Sequence, residues 1–557
     1  MKKRKTIFTS FLPVILVVLS QFASGQKISC KLSFDGNTPM IDGRTNAASA
    51  RPGDTICLTG NFQYMRISYL HGSREAPIVI INQGSQVLIS GFYYGLKLDS
   101  CSYLKFSGNG NQSVKYGIKL YNISGFGISI EGLSSDIEIE NIEISNTITA
   151  GIYAKSDIDT SFTSTRDKYT FRNLSIHDCY IHNTGMEGMY IGSSFYSGVE
   201  IQYHGKDTLV YPHLLKGVRI YNNKVEHTGW DGIQVASADS GCNVFRNAIG
   251  YDSDSAYWFQ MTGIQLGDGS ACDCYNNTIK NGKGDGIDLF GLGGQKIYNN
   301  LIINAGRSYC PDSAGYILTK HGIFRGQATT NSGTSDLIAY NTVISPRNFG
   351  ITYSNYITKN SLAADNIITD PGSYPVYGQM AFVRLMDPQM ELIDENNLKL
   401  LNTADVQFVN PGLLNFDLLK TSPAVNSAKD IPGLPLEFDL ENRSRPFSIR
   451  NDIGAYECHD SSLLGINEKY TIPDEFTIIS IVTRRQEAEI QYRADVPLQL
   501  AITLVNASGM VVKDTSQLVS VPGIYSISLG EHKLRPGLYL CSFSTKTWKV
   551  SKKFIID

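Results

Sequence analysis

YNNKVEHTGWDGIQV (221–235), YNNTIKNGKGDGIDL (275–289) and AYNTVISPRNFGITY (339–353) repeat one pattern in one register. In each, an Asn stands nine positions before a Gly: Asn223 before Gly232, Asn277 before Gly286, Asn341 before Gly350. A short alternating strand pattern follows each Gly. Asn, turn, Gly and strand in this order predict a parallel β-helix with one coil per repeat. Asn tolerates the left-handed backbone region, and stacked Asn amides can hydrogen-bond along a ladder. The Gly is expected to relieve the tight turn before the next strand.

Working outward, six glycines anchor strands: Gly188, Gly232, Gly263, Gly286, Gly322 and Gly350, at spacings of 44, 31, 23, 36 and 28. The short spacings are about one coil; the long ones imply loops inserted on one edge, of which 193–217 is the largest and 304–319 another. Met189, Ile233, Ile264, Ile287, Ile323 and Ile351 are expected to point inward and stack. Coils also run through Gly95, Gly117, Gly127 and Gly151, each followed by an apolar residue.

The chain has 557 residues, enough for more than one domain. With 52 acids and 49 bases its formal charge is −3, and no basic run points to nucleic acid. Residues 1–25 read as a secretory signal peptide: a basic head (Lys2, Lys3, Arg4, Lys5), an apolar run from Phe11 to Leu19, then small residues Ala23 and Gly25. No later segment is long and apolar enough to cross a bilayer. Ten cysteines in an exported chain are candidates for pairing. Cys242 and Cys272 each lie five residues before a repeat Asn, so they stack if the asparagines do. Two readings are open there, a disulfide or a pair of buried thiols.

RPGDTI at 51–56, GSREAPIVI at 72–80 and SYLKFSG at 102–108 resemble the opening of secreted right-handed β-helix proteins, the chondroitinase B and alginate lyase group and related Bacteroidetes surface proteins. The solenoid is thus expected over 26–408. Residues 409–457 resemble the closing segment of such proteins, on Phe416-Asp417-Leu418, Ser422-Pro423-Ala424, Arg445-Pro446 and Asp452-Ile453-Gly454-Ala455-Tyr456-Glu457. They are expected to cap the open end. A polar linker, 458–474, follows. Residues 475–557 alternate strongly and read as a small antiparallel β-sandwich. This segment resembles the C-terminal sorting domain of the type nine secretion system, on Asn506-Ala507-Ser508-Gly509, Leu534-Arg535-Pro536-Gly537-Leu538-Tyr539 and Lys552-Lys553-Phe554-Ile555-Ile556. The usual Tyr-Pro-Asn-Pro entry is absent. The resemblance implies export, delivery to the cell surface or medium, and the secretion machinery as a partner. A monomer is expected.

The position before each anchor Gly holds Glu187, Asp231, Thr262, Asp285, His321 and Phe349. Two residues after the Gly come Tyr190, Gln234, Gln265, Asp288, Phe324 and Thr352. Acids, amides and aromatics on one outward face suit a polysaccharide. Tyr190, Trp230, Gln234 and Gln265 are candidate substrate-binding residues. Glu187, Asp231, Asp285 and Asp288 are candidate calcium ligands. A uronate lyase would use such a cation against the substrate carboxylate, with Lys320, His321 or Arg325 as base. An inverting glycosidase would instead use Asp231 and Asp285, about 9.6 Å apart if they lie two coils apart. Arg325 breaks the inward apolar pattern of Ile191, Val235, Leu266 and Leu289 and is expected to turn outward at its strand end. The leading expectation is a polysaccharide lyase, with a glycoside hydrolase or a non-catalytic glycan-binding surface protein as alternatives.

Overall fold

The structure, a computed structural model, describes residues 29–310, 318–372, 380–434, 436–460, 476–484, 487–506, 511–529, 534–545 and 549–556. The signal-peptide stretch, most of the linker, part of the 304–319 insertion and Ala507-Ser508-Gly509 lie outside them. The chain divides into two units, 1–458 and 459–557.

In the first unit every coil visits three faces in turn. Face one is a 13-stranded sheet running from Leu32–Phe34 to Leu392–Glu395. Face two has 12 strands, Asn61–Phe62 to Leu398–Leu400, and face three 12 strands, Met40–Asp42 to Val383–Leu385. Strands pair in parallel with the coils before and after, as a right-handed β-helix requires. Met189, Ile233, Ile264, Ile287, Ile323 and Ile351 occupy one register on face three and are fully buried. Each buried aliphatic side chain of this kind contributes ~1.5–3 kcal/mol.

The anchor glycines stack too, but not for the expected reason. None has a left-handed backbone. A Cβ on Gly232 would lie 2.5 Å from the Gly263 carbonyl oxygen and 2.8 Å from Ile249 Cγ2. On Gly286 it would lie 2.4 Å from the Gly322 oxygen and 2.6 Å from Ile302 Cγ2. Glycine is required because the next coil and the opposite wall approach too closely for any side chain.

The asparagines form a ladder at the turn from face one to face two. The amide nitrogens of Asn223, Asn247, Asn277, Asn300, Asn341 and Asn366 each donate to the amide oxygen of the next, ending on Asn397, at 2.8–3.0 Å. The left-handed residue is the one before each rung, as at Asn222 (φ 55°), Asn276 (φ 56°) and Tyr340 (φ 55°). The repeat Asn is therefore kept for its buried amide, and its predecessor makes the turn.

Cys242 and Cys272 stand in register and are disulfide-bonded, which closes the open reading. A second disulfide joins Cys30 to Cys57.

Residues 403–418 follow the last coil and bury Val406, Phe408, Phe416 and Leu418. The remainder of the expected cap runs back along the side of the solenoid, against the outside of the Asn ladder. Asn396 donates to Ser427 O, Tyr340 to Lys429 O, and Asn299 to Phe438 O. Arg445 donates to Asn299 Oδ1 at 2.7 Å and Arg246 to Asn442 Oδ1 at 2.6 Å. The left-handed turn residues present outward polar groups on successive coils, and this return segment satisfies them.

The second unit is a β-sandwich. Its three-stranded sheet contains Phe476–Arg484, Glu487–Ala494 and Gly523–Ser528; its four-stranded sheet contains Leu498–Asn506, Val511–Val519, Gly537–Ser544 and Lys549–Ile556. All pairings are antiparallel, and Phe476, Tyr492, Ile502 and Phe543 share the core. Alternating burial along Glu487–Ala494 matches its alternating sequence.

Candidate active site

Because face three repeats in register, outward side chains fall into columns. One column runs Tyr153, Tyr190, Gln234, Gln265, Asp288, Phe324, Thr352. The other holds Glu187, Asp231, Thr262, Asp285 and His321, each just before a stacked glycine. The structure brings these residues together, and all of this second set is buried despite facing outward.

Asp231 is fully buried. One of its carboxylate oxygens accepts from Gln265 Nε2 at 3.1 Å, and the other has no hydrogen-bond partner among the described residues. Burial, then the carboxylates of Glu187, Asp288 and Asp252, push its pKa well above the usual range. Asp288 is raised likewise, by burial and then by Asp285; its Oδ2 accepts from Thr262 Oγ1 and its Oδ1 has no hydrogen-bond partner among the described residues. Burial lifts Glu187 to about 7. Asp285 differs: it forms an ion pair with Lys320 at 2.9 Å and accepts the His321 backbone N–H.

Lys320 is buried and also donates to Met261 O at 3.2 Å. Burial works against its ammonium, but Asp285, Asp288 and Asp231 outweigh it and raise its pKa. Lys320 is thus a fixed cation and not a free base. His321 is the reverse. Burial lowers its pKa to about 4, so the imidazole is neutral at ordinary pH. Its ring lies parallel to Phe324 and Phe349, at 5.6 and 5.4 Å between centroids, and Nδ1 is 3.0 Å from Thr352 Oγ1.

Arg325 does not turn outward. It stays in the inward register of Leu289 and Tyr353, with no exposed surface, and pairs with the equally buried Asp336 at 2.7 Å. Its other guanidinium nitrogens donate to Leu289 O, Gly326 O and Thr330 Oγ1. Its side chain points into the coil interior, where it neutralises Asp336. The inward pattern breaks here because an acid waits inside to receive the charge.

The candidate binding residues border the acids. Gln234 donates to Ser194 Oγ at 2.7 Å, and Tyr190 Oη lies 3.2 Å from the same hydroxyl, so the 193–217 insertion touches this column. Trp230 is half-buried and stacks on Tyr257, 4.5 Å between centroids. Asp252 is a further buried acid of this cluster that sequence reading missed. It sits in the insertion between Gly232 and Gly263, is buried, and is raised to about 6 by that burial. Only the 31-residue spacing of those glycines hinted at it.

Among the described residues, donor atoms converge closely enough for one ion at Glu138, Glu140 and His177, on face one. There Lys105 Nζ already lies 2.7 and 2.8 Å from the two glutamates. Glu187, Asp231, Asp285 and Asp288 do not converge in this way, with Asp285 committed to Lys320 and Asp288 to Thr262. A cavity of about 510 Å³ lined by Arg246, Asn276, Glu441 and Tyr456 lies under the return segment, away from the acids.

The family described as "right handed beta helix region" matches residues 214–381. Among solved structures, the chain is similar to the alginate lyase from Paenibacillus sp. str. FPU-7, at 15% identity over 59% of this chain and 99% of that one, TM-score 0.38. It is similar to the PL6 family alginate lyase AlyGC at 15% identity, over 66% of this chain and 51% of that one, TM-score 0.39. It is similar to the periplasmic alginate epimerase AlgG at 12% identity, over 65% of this chain and 83% of that one, TM-score 0.33. No curated protein sequence matches. The chain is a right-handed β-helix protein. Similarity of this degree carries no argument about chemistry, which rests on the residues.

Proposed function

We propose that face three binds a polysaccharide and cleaves it by carboxyl acid–base chemistry, as an exported glycoside hydrolase. The observation that carries this is the contrast between Asp231 and Asp285. Asp231 is buried without an ion-pair partner and favours its protonated form; Asp285 is ion-paired with Lys320 at 2.9 Å. A pair of carboxyls in unlike surroundings, one favouring its proton and one ion-paired with a lysine, suits acid–base cleavage of a glycosidic bond. Protonated Asp231 would donate to the leaving oxygen, and Asp285 would activate water. Their two-coil separation, about 9.6 Å by strand spacing, is at the upper edge of the range for inversion and well beyond that for retention.

A second reading, a uronate lyase, is favoured by His321, whose neutral imidazole can accept a proton. It would need a cation such as calcium to offset the acids. Export through the signal peptide and the type nine secretion machinery, with the C-terminal sandwich as the address, completes the proposal. No described helix is long and apolar enough to cross a membrane.

The test is a panel of neutral glycans and polyuronates, each read by new reducing ends and by absorbance of unsaturated ends, with and without calcium. The hydrolase reading expects reducing ends alone, lost in Asp231→Asn and in Asp285→Asn. Unsaturated ends that depend on His321 would establish the lyase instead. Full turnover in both Asn variants would place the site elsewhere.

A further inference from the structure

Residues 251–260 are an insertion that the acid–base chemistry does not explain. The first half is fastened to the coils around it. Ser253, Asp254 and Ser255 donate their N–H groups to Trp230 O, Thr228 O and Gly229 O, and Asp252 O accepts from Lys283. The Asp252 side chain enters the acid cluster, where its charge acts on Asp231 and Asp288. The second half turns out into solvent. Tyr257, Trp258 and Phe259 are consecutive, and 53%, 49% and 77% exposed. Their rings are not splayed: Tyr257 lies nearly parallel to Trp230, at 12°, and Trp258 to Phe259, at 10° and 4.8 Å. Gln260 N–H closes the turn onto Tyr257 O at 3.0 Å.

The backbone adds a second observation. Ala256 and Phe259 have φ of 49° and 69°. A left-handed Phe costs ~1–2 kcal/mol relative to the ordinary backbone, and glycine would remove that cost. Phe259 recovers none of it through core packing, since most of its surface faces water.

We infer that Tyr257, Trp258 and Phe259, with Trp230, form a platform on which a pyranose ring of the polysaccharide stacks, beside the acid cluster. This rests on the polysaccharide reading above and extends it to a subsite. Sugar rings present flat C–H faces that pack on aromatic planes, while their hydroxyls need polar partners at the rim. Asp254, His227 and Lys283 supply that rim: His227 Nδ1 is 3.2 Å from Asp254 Oδ2, and Lys283 donates to Asp254 O at 2.6 Å. Trp230 immediately precedes Asp231, so the platform begins where the deepest acid begins. A lipid surface is the competing occupant for exposed aromatics. The parallel planes, the polar rim and the continuity with the acids favour the sugar.

The test uses the full chain and two variants, Trp258→Ala and Phe259→Gly. The second relieves the backbone, so a loss of binding there cannot come from strain. Mobility is measured in native gels cast with xyloglucan, galactomannan, xylan, alginate or polygalacturonate. Co-sedimentation is measured with phosphatidylcholine–phosphatidylglycerol vesicles. Retardation by at least one glycan is expected, with about tenfold weaker binding in both variants, as for truncation of a contact-making aromatic. If the wild type is retarded and both variants match it, the platform is refuted and the polysaccharide reading stands. If no glycan retards the wild type, or only vesicles capture it, both fail.

Discussion

Gly286 lies between Asp285 and Ile287, so replacing it tests the stacking of the coils at the site itself. In Gly286→Ala the new methyl would sit 2.4 Å from the Gly322 carbonyl oxygen and 2.6 Å from Ile302 Cγ2. Neither atom is the end of a flexible side chain, so neighbouring coils must separate locally by several tenths of an ångström. That weakens the ladder bonds from Gly286 N to His321 O and from Ile287 N to Gly322 O, both 3.0 Å. Two such bonds are worth ~2 kcal/mol, and overpacking adds ~1–3 kcal/mol. The lower entropy of the unfolded Ala chain returns only ~0.4–1 kcal/mol. The net loss is about 2–5 kcal/mol. A unit of roughly 430 residues has an unfolding entropy of ~0.9 kcal/mol per kelvin, so the melting temperature should fall by about 2–5 °C. Gly412→Ala is the control, because there the nearest atom to a new methyl is Asn410 Oδ1 at 3.6 Å. Its melting temperature should stay within about 1 °C of the wild type by the same entropy. Thermal melts followed by circular dichroism decide the matter. If Gly286→Ala melts with or above the wild type, close coil approach is not why glycine stands there.

Two further outcomes follow from the buried charges. Arg325→Met strands the Asp336 carboxylate and should cost ~3–5 kcal/mol, part of which Arg325→Met/Asp336→Asn restores; activity loss with an unchanged melting temperature would instead make Arg325 catalytic. Glu187 is raised from 4.5 to about 7 by burial, so the folded state holds its proton more tightly than the unfolded one. Its contribution is full below pH 4.5, is lost as pH rises through about 7, and is ~3 kcal/mol at most. Glu187→Gln should flatten the fall in stability between pH 5 and pH 8 in denaturant titrations; parallel curves for the two proteins would refute the assignment.

The sequence by itself was enough for the solenoid and for the columns of face three. Each coil pairs with its sequence neighbours, so the stacking of Ile233, Ile264 and Ile287 is written in the local spacing of Asn, Gly and aliphatic residues. The same spacing aligned Cys242 with Cys272 and set Asp231 and Asp285 in one column. What periodicity cannot express is which outward side chains are taken from water and what meets them there. Arg325 looks like an outward residue until Asp336 is found inside the coil. Lys320 looks like a base until three carboxylates surround it. Asp252 reaches the site only because its insertion folds over face three, and the return segment lies along the Asn ladder because left-handed turns on successive coils leave polar groups to be satisfied. Those outcomes depend on contacts between distant segments and on the burial they create. Burial fixes the protonation of an acid or a lysine, and only the tertiary structure decides it.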